Sequence, residues 1–167
     1  MSIRTLVILR HAKAANPEGV PDVDRPLTDR GRADAAAAGA WIAQHGIVPD
    51  LVLCSPAART RQTWHGVALG LPIAPQVRYE QPIYAASART LLATVRAADP
   101  GASTVLLIGH NPGLSELSAT LDPAGAAEDG LRTAGIAVHT FSGAWTDWAP
   151  GTAARVATHT ARADRAG

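Results

Sequence analysis

Three short apolar runs punctuate the chain, and polar residues follow each one at once. They are Thr5-Leu-Val-Ile-Leu9, Leu51-Val-Leu-Cys54 and Thr104-Val-Leu-Leu-Ile108. Their shortness and their Val, Leu and Ile content predict strands buried on both faces. Helical stretches separate them. Thr28 is a plausible N-cap for a helix through residues 33–38 and Trp41-Ile42, stopped near Gly46. Residues 58–69 form a second helix ending at Gly70. Pro72, Pro75 and Pro82 break the next stretch into extended segments, after which Ser87 caps a helix over residues 89–98. Pro112 suits the first turn of a helix carrying Leu114, Leu117 and Leu121. A Gly- and Ala-rich loop over residues 122–132 precedes two late β segments, 135–141 and 153–160. This alternation predicts an α/β fold, a three-layer α/β/α sandwich with a mostly parallel central sheet.

The length of 167 residues fits one domain spanning 1–167. With 15 basic and 14 acidic side chains the net charge is +1, which gives no support to nucleic-acid binding. Aromatics at 4% make stacking platforms for single strands hard to build and leave the core to Ala, Val, Leu and Ile. The lone Cys54 excludes an internal disulfide framework and multi-cysteine metal sites, so a reducing, cytoplasmic location is expected. No signal-peptide form and no run of roughly 18 apolar residues is present, so neither secretion nor membrane insertion is expected.

In parallel sheets, ligands bind beyond the carboxyl ends of the strands. Three polar groups stand there: Arg10-His11, Ser55 with Arg59, and Gly109-His110. A single histidine at a strand end is usually structural, but two at matching ends beside arginines point to an anion site. The guanidinium fork matches phosphoryl oxygens, and a neutral imidazole near pH 7 is a competent nucleophile for phosphorus.

The order of four elements resembles a known family. They are Leu9-Arg10-His11, then Asp24-Arg25-Pro26-Leu27-Thr28-x-x-Gly31, then Ser55-Pro56-x-x-Arg59-x-x-Gln62-Thr63, then Gly109-His110. Together they resemble the histidine phosphatase, or phosphoglycerate mutase-like, superfamily, and within it the short SixA-type phosphohistidine phosphatases. The resemblance implies that His11 forms a phosphohistidine intermediate, Arg10 and Arg59 clamp the phosphoryl oxygens, His110 completes the pocket and Arg25 adds a phosphate contact.

Two departures stand out. Ala12, followed by Lys13, occupies the place where the family usually has glycine, which is acceptable if φ there is negative. Larger members carry a proton-donating carboxylate between the second arginine and the second histidine. Glu80 is the residue in that interval, either as the acid or as an ordinary solvated glutamate. Asp22 and Asp24 are weaker candidates, better explained as turn residues. Cys54 lies one residue too close to Arg59 for a cysteine-phosphatase loop and reads as a core side chain. His45, His65, His139 and His159 read as structural or surface groups, Arg61 as solvent-facing, and Gln62 and Thr63 as motif positions that serve packing. No glycine-rich nucleotide loop is present.

The expected function is hydrolysis of a phosphoryl group, on protein phosphohistidine or on a small phosphomonoester with Glu80 as acid. A non-catalytic phosphate-binding module is the competing class. The short polar tail, 161–167, favours hydrolysis over a mutase that must shield its phosphoenzyme. No cofactor and no metal are expected, since the arginines supply the positive charge.

Overall fold

In the computed structural model, which describes residues 2–125 and 130–164, ten regular elements follow one another. They are β1 (Ile3–Arg10), α1 (Asp29–Gln44), β2 (Leu51–Cys54), α2 (Ala58–Gly70), β3 (Gln76–Tyr79), α3 (Ala88–Arg96), β4 (Thr104–Gly109), α4 (Gly113–Leu121), β5 (Gly135–Ser142) and β6 (Ala154–Thr160). Residues 126–129 of the predicted 122–132 loop and residues 165–167 of the tail lie outside the described residues.

One six-stranded sheet has the order β3-β2-β4-β1-β5-β6. β1, β4, β2 and β3 run parallel, and β5 is antiparallel to both of its neighbours. The predicted mostly parallel sheet is therefore present. Its layering follows from the two-residue period of a strand. Leu6 and Ile8 of β1 pack with Leu91 and Val95 of α3 and Leu114, Leu117 and Leu121 of α4. Val7 and Leu9, pointing the other way, pack with Ala35, Ala38 and Ile42 of α1 and Trp64 and Val67 of α2. Helices cover both faces, which is the sandwich. Each fully buried Leu or Ile contributes about 2 kcal/mol of transfer free energy.

The helix starts use the predicted caps. Thr28 Oγ1 accepts from the Gly31 amide at 3.0 Å, and Ser87 Oγ accepts from the Thr90 amide at 3.2 Å; each such cap contributes about 1 kcal/mol. β3 forms as an edge strand within the proline-broken stretch, paired only with β2. One expectation needs correction. The core does not rest on aliphatic residues alone, because Trp145 and Trp148 are fully buried and lie 4.9 Å apart between ring centroids. Trp145 satisfies its indole N–H on the Ala102 carbonyl at 2.8 Å, so its large ring is buried without leaving its donor unpaired.

Candidate active site

Register brings the polar strand ends together. Arg10 lies opposite Gly109 across the β1–β4 pair, and Cys54 opposite Ile108 across the β2–β4 pair. The residues immediately after these strands, His11, Ser55 and His110, therefore meet at one edge of the sheet. His11 donates its backbone amide to the Gly109 carbonyl at 3.1 Å, and Ser55 donates its own to the Ile108 carbonyl at 3.1 Å. The His11 and His110 rings are 5.5 Å apart, and each residue is 8% exposed.

The proton position on the His11 ring follows from its partner. His11 Nδ1 lies 2.8 Å from the Ala12 carbonyl oxygen, which can only accept, so Nδ1 carries the proton and Nε2 keeps its lone pair. Ser55 Oγ accepts from the Ala57 amide at 3.3 Å and lies 2.8 Å from His110 Nε2. Where the hydroxyl directs its own proton to that nitrogen, Nδ1 of His110 carries the ring proton and is left as a donor. Burial is the main force lowering the pKa of His11 to about 4 and that of His110 to about 3, and the charges of Arg59 and Arg10 add to it. Both imidazoles are therefore neutral at pH 7.

The loop around His11 is held by groups from far along the chain. The Ala12 amide donates to Thr63 Oγ1 at 3.0 Å, while that hydroxyl donates to the Arg59 carbonyl at 2.7 Å. Gln62 Oε1 accepts from the Leu27 amide at 2.8 Å. Ala12 is not among the residues with positive φ, so alanine fits there. Gly31 is required by a close approach instead, since a Cβ on it would lie 2.1 Å from the Lys13 carbonyl oxygen. Lys13 itself points to solvent.

Both arginines flank this pocket. Arg59 donates through Nη1 to the Asp22 carbonyl at 2.7 Å and through Nη2 to the Asp22 carboxylate at 3.1 Å. Arg25 bonds the same carboxylate at 3.1 Å and the Ala15 carbonyl at 3.1 Å, and Tyr84 donates its hydroxyl to that carboxylate as well. Tyr84, then Arg25 and Arg59, hold the Asp22 carboxyl well below the usual carboxylate range. The ring of Tyr84 also stands edge-on to His110 at 5.4 Å. Arg10 makes its bond through Nη1 to the Leu131 carbonyl at 3.2 Å.

Three buried nitrogens at this edge, Arg10 Nε, Arg59 Nε and His110 Nδ1, have no hydrogen-bond partner among the described groups. A buried donor left unpaired costs about 1–3 kcal/mol. Unpaired donors on two arginines beside a neutral imidazole are the groups a tetrahedral oxyanion would need, which makes this cluster the candidate cradle.

His11, Arg10, Arg59 and His110 are thus brought together, with Arg25 joined to Arg59 through Asp22. Glu80 is placed elsewhere. Its amide donates to the Cys54 carbonyl at 2.9 Å, and its side chain lines a cleft with Leu53, Arg78, Pro82, Thr90 and Thr94. That side chain makes no hydrogen bond or ion pair among the described residues. Cys54 is fully buried and its thiol is pushed up to about 12 by burial. His139 is fully buried between Ser118 Oγ at 2.7 Å and the Ala153 carbonyl at 2.9 Å, and His45 and His159 are exposed against Trp41. Asp24 and Arg61 are exposed. Among the described residues, no three His, Cys, Asp or Glu side chains are grouped to hold a metal, and no helix is long and apolar enough to cross a membrane. Sequence reasoning passed over Asp22 as an arginine partner, and over Tyr84 and Asn111 altogether.

The profile of the histidine phosphatase superfamily (branch 1) matches residues 6–80. An uncharacterized protein of Mycobacterium tuberculosis is 37% identical over 162 residues, covering 92% of this chain and 100% of its own. A candidate phosphohistidine phosphatase SixA from Nakamurella multipartitia superposes with a TM-score of 0.85 at 37% identity, over 96% of this chain and 98% of its own. The corresponding candidate from Agrobacterium tumefaciens gives a TM-score of 0.81 at 28% identity, over 93% and 97%. The chain belongs to the histidine phosphatase superfamily, and its likeness to the SixA-type structures within that superfamily indicates a phosphatase.

Proposed function

We propose that this phosphatase hydrolyses phosphohistidine on a protein substrate through a phosphoryl intermediate on His11. The observation that carries the reading is the fixed tautomer of His11. Its Nδ1–H is committed to Ala12 at 2.8 Å, which leaves Nε2 as a buried nucleophile among the donors of Arg10, Arg59 and His110. In the first step Nε2 bonds to phosphorus and the substrate P–N bond breaks, the departing imidazole taking a proton from solvent. In the second, water attacks the phosphoryl group and the His11–phosphorus bond breaks. This releases inorganic phosphate and a proton and restores neutral His11. The arginines and His110 stabilise the charge that gathers on the three equatorial oxygens. With two guanidinium groups in that role, the reaction requires no metal, and chelator leaves the rate unchanged.

The leaving group favours phosphohistidine. An imidazole nitrogen is protonated near neutrality and departs without a positioned acid, whereas an alkoxide needs one. Glu80, the acid that a small-molecule phosphomonoesterase would require, lines a cleft that includes none of the four pocket residues. A nucleophile between arginines also distinguishes an enzyme from a phosphate-binding module, which needs the charges alone. The lone buried thiol accords with a cytoplasmic setting.

The test compares kcat/KM for a phosphohistidine protein with that for a set of sugar phosphates, in the wild type and in Glu80→Gln. The protein substrate is expected to be preferred and the substitution to leave its turnover intact. Faster turnover of the small phosphomonoesters, abolished by Glu80→Gln, would replace this reading with the phosphomonoesterase.

A further inference from the structure

The two arginines of the cradle are anchored very differently. Arg59 is gripped by a carboxylate and a carbonyl of the same residue, Asp22. Among the described residues Arg10 has one anchor, the Leu131 carbonyl at 3.2 Å. A backbone carbonyl in a connecting loop orients a guanidinium only as well as the loop itself is fixed. At this point the loop is fixed by side chains. Asn111 Nδ2 donates to the same Leu131 carbonyl at 2.7 Å, and the Leu131 amide donates to Ser115 Oγ at 2.9 Å. Ser115 Oγ in turn donates to Asn111 Oδ1 at 2.7 Å, which closes a ring of three residues. Ala134, held at φ 57°, adds a two-pronged bond from its amide to the Arg10 and His11 carbonyls at 3.1 and 3.0 Å.

Building on the phosphatase reading above, we propose that Asn111 is a positioning residue that aims Arg10 at the phosphoryl group by fixing the Leu131 carbonyl. Asn111 directly follows His110, so one dipeptide supplies a pocket donor and the anchor of the arginine on the neighbouring strand end. The bland role for this asparagine is helix capping, because Oδ1 also accepts from the Ser115 amide at 3.2 Å in the first turn of α4. The two roles use different atoms. Capping needs the oxygen, whereas positioning needs the Nδ2–H.

Asn111→Asp separates them. Aspartate caps a helix as well as asparagine does, but it lacks the donor and turns a carboxylate oxygen toward the Leu131 carbonyl. The measurements are affinity for tungstate and for inorganic phosphate by calorimetry, kcat and KM with a phosphohistidine protein, and the melting temperature. Tungstate affinity and kcat/KM are expected to fall on the order of tenfold in Asn111→Asp with the melting temperature held, and by less in Ser115→Ala, which frees the Leu131 amide. In an Arg10→Ala background, Asn111→Asp should add nothing further, since it acts through that arginine. An Asn111→Asp protein that binds tungstate and turns over within twofold of wild type would overturn the proposal, as would a loss that adds in full to that of Arg10→Ala. Should Asn111→Asp fail to fold, the Ser115→Ala and Arg10→Ala pair runs the same cycle, and full additivity there overturns it equally. Wild-type protein that neither binds tungstate nor hydrolyses any phosphoryl substrate would remove the phosphatase reading itself, and this proposal with it.

Discussion

Arg59 and Asp22 form a two-point grip, with Nη1 on the carbonyl at 2.7 Å and Nη2 on the carboxylate at 3.1 Å, so that the fork of the guanidinium is pinned from one side. The Nε–H is left without a partner and is one of the donors still available to a ligand. Asp22 is itself half exposed, so the pair adds little to global stability. Its effect is orientation. Asp22→Asn is expected to keep the fold, to weaken phosphate binding and to lower kcat/KM on the order of tenfold, because a charge-assisted bond becomes a neutral one. A phosphate titration and a melting curve on the same sample check both halves.

The covalent step rests on His11. Brief exposure to a labelled phosphodonor should yield a protein label that is labile to acid and stable to base, and His11→Ala should not take it up. Turnover in His11→Ala is expected to fall on the order of a thousandfold or more. Arg59→Ala and His110→Ala, each removing one preorganised donor, should lose on the order of 100-fold while still folding.

The Ala12 amide, Thr63 and the close approach at Gly31 together shape the nucleophile loop. Thr63→Val removes the acceptor for that amide at nearly constant volume, and it should lower kcat more than it lowers stability. Gly31→Ala is the harsher change. Its Cβ would lie 2.1 Å from a backbone oxygen that has no flexible side chain to yield. A melting temperature well below wild type and reduced turnover are expected from circular dichroism and a rate assay.

The strand ends were legible in the sequence because a buried parallel strand leaves a local mark, a short run of Val, Leu and Ile that stops at a polar residue. Arg10, His11, Ser55 and His110 each stand at such a stop, and parallel register brings them into line. Arg59 was legible for a similar reason, at the start of α2 just beyond β2. What supports them was not legible. Tyr84 meets Asp22 across 62 residues, and Thr63, a motif position read as serving packing, meets Ala12 across 51; which groups meet depends on how loops fold over the sheet, and no local pattern marks the partner. Trp145 and Trp148 were equally silent, since a short turn after β5 has no hydrophobic period to betray its burial. Nothing local marks Asn111 either, because its partner Leu131 offers a backbone carbonyl that any residue would carry.

His11 and His110 prefer the neutral form when folded, with pKa values lowered to about 4 and about 3 chiefly by burial. In the unfolded chain both return toward about 6.5. Below that value the unfolded chain binds more protons than the folded one, so the stability these sites permit is complete above about pH 6.5 and drains away as the pH falls toward 4. Melting temperatures of the anion-free protein should decline across that window, and His110→Asn, which keeps a polar side chain without a titrating ring, should flatten the slope. Nuclear magnetic resonance of the imidazole protons reads the same effect site by site. The His11 and His110 signals should show no titration near 6.5 in the free protein. Saturating phosphate brings negative charge against both rings and should raise their pKa values, moving the titrations upward and recovering stability at pH 5. His11 and His110 titrating near 6.5 in the free protein would contradict the buried, neutral pair on which the nucleophile assignment depends.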